Sequence, residues 1–567
     1  MYFNLIHKIK NNDELEAIKY QQDIAHEYGI KTTLHLAYES MFDEETVAYC
    51  KNQHEEFGDE IGCNMQAVIG PHTAECLGSR QIEIHLYTFE EQKKFVETAF
   101  EKFKSLFGFY PTSCSFYYIS APILNWIKEK YPQFKIAVIN CFEEGVHMFA
   151  GNKNAWHLLC EGSPWGAYYP SKDNSMCPAK SKDDWNGIIG VPHLNRDMLM
   201  AYIGRDDCFS SHSANVQRGM VNNGKDCKYL YDFFDLWQEQ EKYNDVVYYN
   251  TIVGPKWLMD GKNFEESMDD SRDLYRQTIS IYRDKMAKGE LVACTMSEYA
   301  DIHIQKCSFD TVDINLWKDI LCGSNRQLFW FVHQNYRITI DPNLGGAIVD
   351  LRPYAGRLNI VPGPYEKPQW DGSYPYALQF WHRKSYHTCT IDDADLWQYR
   401  SECSVKKLDN GDVLLTLDPV EVYTSDAEAV VQTTFLFKHD GPIKVTRKIL
   451  SASNNEKEFV IKETFKGCWG TNTLPEDYRG TKLYIDEHDG RRELIADYAD
   501  KRLMSDNAKN AGCFVPQLNT NFDFAGVGDN ISYMVDEGHM FEPYYVITTS
   551  HNRIKAGEEA STWIQIG

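Results

Sequence analysis

Basic residues are the scarce charge in this 567-residue chain: 58 Lys and Arg face 82 Asp and Glu, giving a net charge of −24. A surface of that sign repels phosphate backbones and anionic lipid, so nucleic acid and membrane surfaces are excluded as partners. Neutral substrates fit it better. No stretch approaches the ~20 apolar residues of a membrane span. The start, Met1-Tyr2-Phe3-Asn4-Leu5-Ile6-His7-Lys8, has no long apolar signal-peptide core, so the expected location is cytoplasmic unless a leader was trimmed. Cysteine pairs are missing too. The 16 cysteines are scattered singly between Cys50 and Cys513 with no C-x-x-C, which excludes zinc-ribbon and thioredoxin readings and suits a reducing compartment. There is no G-x-G-x-x-G, no Walker loop and no G-x-S-x-G nucleophile elbow.

Length and aromatic content point the other way, toward a large globular protein. A chain this long exceeds one ordinary core, so two or three domains are expected. Its 35 Tyr, 29 Phe and 13 Trp are enough to fill cores and to line sugar-stacking surfaces. Up to residue 300, apolar strand-like runs alternate with helical ones. The strands are expected at Tyr2–Ile9, Thr32–Tyr38, Glu60–Cys63, Ser113–Ile119, Ile136–Cys141, Ile188–Pro192, Val246–Val253 and Leu291–Met296. Thr88 and Glu91 make a T-x-x-E capping box, followed by Phe95, Ala99, Phe103, Leu106 and Phe107 at helical spacing and a Gly108…Pro111 stop. Met268, Tyr275, Ile279, Tyr282 and Met286 form a second stripe that ends at Gly289. This alternation predicts a parallel α/β barrel of seven or eight strands over 1–300. A connecting segment is expected over 301–325. From 326 to 567, period-two strands and turn signals such as Asp409-Asn410-Gly411-Asp412 predict an antiparallel β-sandwich.

A barrel of this kind gathers its site at the carboxyl ends of the strands. That rule selects His7 on strand one, His35 and Glu39 on strand two, and Glu60, Asn64 and Gln66 on strand three. Further round it selects Tyr118 and Ser120, then His193 and Asn195, then Trp257 and Asp260, and finally Ser297 and Glu298. The run Asn140-Cys141-Phe142-Glu143-Glu144-Gly145 puts two adjacent carboxylates after an apolar strand. In a partly dry cleft such a carboxyl group is pushed up toward neutrality and acts as general acid, opposite a second carboxylate serving as base or nucleophile. The alternative for Glu143 and Glu144 is a solvated acidic loop. The aromatic loop 154–178, with Trp165 and Tyr168, is expected either as a sugar-stacking wall or as packed structure. His72 and His85 flank a long insertion after strand three. No H-x-x-x-H or H-E-x-x-H spacing occurs, so no metal is expected; the alternative is a divalent cation held by neutral imidazoles among carboxylates.

Three stretches carry a resemblance. Tyr28-Gly29-Ile30-Lys31-Thr32-Thr33-Leu34 and Asp59-Glu60-Ile61-Gly62-Cys63-Asn64, with Phe107-Gly108-Phe109-Tyr110-Pro111, resemble the polysaccharide deacetylase/glycoside hydrolase barrel superfamily. In that alignment Asn64 stands where the first metal histidine would be. The Asp-Asp pair of strand one is absent from Leu5-Ile6-His7-Lys8-Ile9, and Phe116-Tyr117-Tyr118-Ile119-Ser120-Ala121-Pro122 replaces the strand-four Arg-Pro motif. The pattern Asn140-Cys141…Gly145 followed by Ala167-Tyr168-Tyr169-Pro170-Ser171…Asn174…Pro178-Ala179 is similar to bacterial proteins in which such a barrel precedes a β-sandwich. Ile340-Asp341-Pro342-Asn343-Leu344-Gly345-Gly346 is similar to the opening of sandwich domains appended to glycosidases. The resemblance implies a fold and a sugar-active neighbourhood rather than a reaction.

The expectation is therefore a carbohydrate-active hydrolase, a glycosidase cutting a neutral oligosaccharide or glycoside. Glu143 or Glu144 would be one catalytic carboxyl group, with Glu60, Glu39 or Asp260 as the second. His35, Glu39, Trp165, Tyr168, His193 and Trp257 would bind substrate. The sandwich would add a loop from Trp370-Asp371-Gly372-Ser373-Tyr374 or Trp381-His382-Arg383. The alternatives are an N-acetyl-sugar deacetylase with a rearranged metal site and a non-catalytic glycan-binding protein.

Overall fold

The computed structural model describes residues 1–66, 70–78, 84, 87–116, 119–140, 166–175, 177–193, 195, 197–199, 228–259, 268–354, 378–379, 386–468, 481–495, 501–515, 520–539 and 543–567. These fall into two compact units, one ending at Thr311 and the other beginning at Val312.

In the first unit, strands β1 (Tyr2–Ile9), β2 (Thr32–Ala37), β3 (Glu60–Asn64), β4 (Ser113–Ser115), β5 (Ile136–Asn140), β6 (Ile189–Pro192) and β7 (Tyr248–Ile252) form a parallel sheet. Its order is β6-β5-β4-β3-β2-β1-β7, with the short β8 (Val292–Ala293) paired to β1 as well. Helices α1 (Leu15–Glu27), α2 (Glu44–Phe57), α3 (Pro71–Leu77), α4 (Phe89–Phe107), α5 (Ala121–Lys130), α6 (Lys228–Glu239), α7 (Met268–Ala287) and α8 (Met296–Lys306) complete it. The capping box at Thr88 and Glu91 is present, and Gly108 ends α4 with φ +84. Only glycine adopts that left-handed conformation without a Cβ penalty. Phe95, Val96, Ala99, Phe100 and Phe103 of α4 are buried against Leu34, Leu36, Ile61, Cys63 and Cys114, which defines the outer face of the sheet.

The ladder does not close into a ring. No backbone pairing joins β6 to β7 among the described residues. The edge of β6 is already taken: the N–H and C=O of Gly190 exchange 3.0 Å bonds with Tyr168, which runs antiparallel to it. Among the described residues two side chains bridge the remaining seam: Asn250 Nδ2 donates to the Pro192 C=O at 2.7 Å, and Asn195 stands in for a strand. Asn195 accepts from the Asn250 N–H at 2.7 Å and donates to the Tyr248 C=O at 3.2 Å, the two bonds a neighbouring strand would make across Tyr249. The expected closed barrel is thus an open parallel sheet with a side-chain seam.

Residues 301–325 are not a plain connection. They contain the end of α8 and the strand Asp313–Lys318, which pairs with Gln327–Val332. The second unit consists of antiparallel sheets of five, six and ten strands. Cys389, Ile391, Phe459 and Ile461 of the six-stranded sheet pack against Val422, Ala429, Val431, Ile449 and Ala560 of the ten-stranded one, as in a sandwich. A fully buried network ties the sheets together. Glu463 accepts from Arg447 at 2.7 Å and from His387 Nε2 at 2.5 Å, while His387 Nδ1 accepts from the Ile348 N–H at 3.1 Å. That last bond fixes the imidazole as neutral with its proton on Nε2.

Candidate active site at the carboxyl ends of the parallel strands

Strand alternation divides the sequence candidates before any chemistry is considered. In a parallel ladder, residues in register share a face, and neighbours along a strand do not. On β1, His7 points outward, and its Nε2 lies 3.0 Å from the Tyr275 hydroxyl of α7. Lys8, next along, pairs in register with His35, which pairs with Gly62. This row faces inward, as does the next one, where Ala37, Asn64 and Ser115 are in register and lead to Val138 and Val191. The interior therefore has two characters. Its β1–β4 side carries Lys8, His35, Asn64, Ser113 and Ser115, all buried. Its β5–β6 side carries Ile136, Val138, Ile189 and Val191, packed with Tyr248, Met296, Tyr299 and Ala300.

His35 is a packing group inside this interior. Its Nδ1 lies 2.8 Å from Ser115 Oγ and its Nε2 3.0 Å from Ser113 Oγ, so the ring spans β3 to reach β4. Gly62 makes that possible, because a Cβ there would lie 2.8 Å from the imidazole and 2.6 Å from Ser113 Oγ. Burial, and then the charge of Lys8, hold the imidazole down to about 3. It is neutral, and both of its nitrogens are occupied.

Glu60 sits at the wrong end of the sheet for the role expected of it. It is the first residue of β3, and its carboxylate accepts from Thr112 Oγ1 at 2.9 Å, the Ser297 N–H at 2.8 Å and Ser297 Oγ at 3.0 Å. The adjacent Met296 N–H donates to Thr33 Oγ1 at 3.1 Å. These bonds seat the start of α8 against the amino-terminal ends of β2 and β3. Ser297 and Glu298, expected on the rim, belong to this opposite end. Glu298 completes a capping box with Thr295 and pairs with Lys31 at 3.0 Å.

Glu39 is also committed. Its carboxylate accepts from the N–H groups of His72 and Thr73 at 3.1 and 3.2 Å, capping the first turn of α3. A Cβ on Gly70 would lie 2.3 Å from the Glu39 carboxyl carbon. Tyr168 is not a stacking wall: it is 5% exposed, lies in the core behind the outer face, and donates to the Ser175 C=O at 2.8 Å. His193 follows β6 at the carboxyl end and is buried. The backbone of Trp257 lies in a 3-10 turn after β7, with its side chain outside the described residues. Glu143, Glu144, Trp165 and Asp260 lie outside the described residues, as do Tyr118, His85 and the sandwich loops at 370–374 and 381–383.

Sequence reading missed Lys8, one position from the candidate it chose. Only strand parity distinguishes the two, and the run Leu5-Ile6-His7-Lys8-Ile9 does not announce which parity faces in. Among the described residues, no three His, Cys, Asp or Glu side chains come together as a metal would require. Among the same residues, no helix is long and apolar enough to cross a membrane.

Several solved structures are similar to the chain. A 4-alpha-glucanotransferase from Thermococcus litoralis is 9% identical, covering 100% of this chain and 99% of its own, with a TM-score of 0.32. A galactose mutarotase-like protein from Clostridium acetobutylicum is 10% identical over 45% of this chain and 98% of its own, with a TM-score of 0.29. A putative polysaccharide deacetylase from Mycobacterium smegmatis is 11% identical over 54% and 92%, with a TM-score of 0.28. No curated protein matches. Residues 29–302 match a family model described as a domain of unknown function with a solved structure (DUF3863).

Proposed function

We propose that the protein is a carbohydrate-active enzyme, a glycosidase that takes a neutral oligosaccharide or glycoside at the carboxyl ends of β1–β6. The observation that carries this reading is the divided inward face of the sheet. Polar side chains line β1–β4, and aliphatic ones line β5 and β6, where Val138 and Val191 lie toward the carboxyl end. A sugar ring has the same division, with hydroxyls on its edges and C–H groups on its faces, and pockets for it pair apolar walls with a few placed polar groups. The net charge of −24 agrees with an uncharged substrate.

In this reading Glu143 or Glu144, following β5, supplies the general acid. Asp260, following β7, supplies the second carboxylate. Glu60 and Glu39 drop out, because each already caps a helix start. No cofactor takes part. The test is hydrolysis of a panel of p-nitrophenyl glycosides by the full chain, with Glu143→Gln, Glu144→Gln and Asp260→Asn alongside. Loss of the general acid is expected to cost on the order of 100-fold or more in kcat. Both glutamate variants hydrolysing at the wild-type rate would overturn the assignment of the acid. Turnover abolished by a chelator and restored by zinc would replace the glycosidase with a metal-dependent deacetylase. Binding without turnover would leave a glycan-binding protein.

A further inference from the structure

Three neutral side chains at the carboxyl ends of β3 and β4 have hydrogen-bonding capacity that the fold does not use. Asn64 closes β3 on its inward face and is 4% exposed; Gln66, two residues on, is 6% exposed. Ser120, at the start of α5, is 5% exposed and makes no cap bond with its side chain. Asn64 Oδ1, Gln66 Oε1 and Ser120 Oγ are buried, and none has a hydrogen-bond partner. Buried polar atoms left unpaired are costly and rare in folded proteins. Their neighbours behave differently: His35, one row deeper, is bonded both to Ser113 and to Ser115 of Asn64's own row. The saturated network lies deeper, and the unsaturated one lies at the end where the strand-to-helix loops leave the sheet.

The chemistry of the three atoms narrows the ligand. Amides and hydroxyls both donate and accept, and they carry no charge. They cannot neutralise a phosphate or carboxylate, but they match hydroxyl groups, which also do both. Ala37 and Ser115 flank Asn64 in its row, which continues into the packed Val138 and Val191, so no charged side chain stands in it.

We propose that Asn64, with Gln66 and Ser120, forms a hydrogen-bonding subsite for the hydroxyl groups of a neutral sugar. It rests on the carbohydrate-active reading above and names residues that determine which sugar is held. A site built to bond a hydroxyl rejects the analogue that lacks it, because its own buried groups are then left unpaired.

The experiment is titration calorimetry of the full chain with methyl glycosides of glucose, galactose, mannose and xylose, and with their deoxy analogues. Thermal unfolding is followed on the same samples. Asn64→Leu keeps the volume and removes the unpaired amide. It is expected to weaken binding about ten-fold or more while leaving the unfolding temperature unchanged or raised. A residue needed only for packing would give the reverse pattern. Gln66→Leu and Ser120→Ala provide the same test should Asn64→Leu fail to fold. Wild-type binding with all soluble variants binding equally well would overturn the subsite and leave the carbohydrate reading standing. A wild-type chain that binds no glycoside in the panel would overturn both.

Discussion

Replacing Glu60 separates a structural carboxylate from a catalytic one. Its two oxygens accept from Thr112 Oγ1, the Ser297 N–H and Ser297 Oγ, at 2.8–3.0 Å, and the residue is 8% exposed. Hydrogen bonds to a charged group contribute ~1.5–3 kcal/mol each, but the two hydroxyls recover part of that by turning to other acceptors. The Ser297 amide lies in the first turn of α8, where loss of a capping acceptor costs ~0.5–2 kcal/mol. Together these place Glu60→Ala at about 2–4 kcal/mol of lost stability, within the usual range for a broken buried network. In a unit of this size that lowers the melting temperature by roughly 3–6 °C. Glu60→Gln retains one carbonyl acceptor and is expected to lose less. The assay is differential scanning calorimetry of the full chain with glycoside turnover measured well below the transition. Stability should fall while the turnover of folded protein holds. An unchanged melting temperature with turnover abolished would refute the structural assignment and return Glu60 to the catalytic machinery.

Other outcomes follow from the same geometry. Against the burial that would raise it, the Arg447 guanidinium and the His387 N–H hold the Glu463 carboxyl well below the carboxylate range. Its contribution is therefore intact above the ordinary value of 4.5 and drains away as pH falls below it. Glu463→Gln strands the buried Arg447 cation and should cost the antiparallel unit about 3–5 kcal/mol in denaturant unfolding. His7, His35 and His303 are held, chiefly by burial, at about 3, 3 and 4, against an ordinary 6.5. Only the unfolded chain takes up these three protons between pH 6.5 and 4. The first unit should accordingly lose roughly 4 kcal/mol per pH unit there, and a flat pH–stability curve would contradict the burial of these rings. Asn195→Ala removes both bonds that imitate a strand across the β6–β7 seam. Hydrogen exchange at the Asn250 amide should accelerate by about ten-fold or more, whereas unchanged protection would mean the seam is held some other way.

Much of the fold was legible because the signals are local. The T-x-x-E box, the Phe95–Phe107 stripe and Gly108 define α4 by themselves, through backbone donors that need a cap and a left-handed residue that only glycine suits. β1 matches its expected bounds, because a short apolar run buried on both faces reads as a strand of a parallel sheet without its partners in view. The candidate site was less legible. Glu60 looks like a rim carboxylate in sequence, yet it begins its strand instead of ending it. Glu39 and Glu298 look like free acids until the helix starts they cap are in view.

The sequence by itself settled the order of elements, the change from helical to period-two texture, and the acidic balance of the chain. These follow from periodicity and composition, which each residue carries with it. Tertiary structure decided which face of each strand looks inward, so that Lys8 replaces His7. It also decided that Gly62 leaves room for His35 to reach two serines, and that Tyr168 occupies the edge that would have closed the ring. Each of these depends on pairing register, and register is set by contacts between segments far apart in the chain.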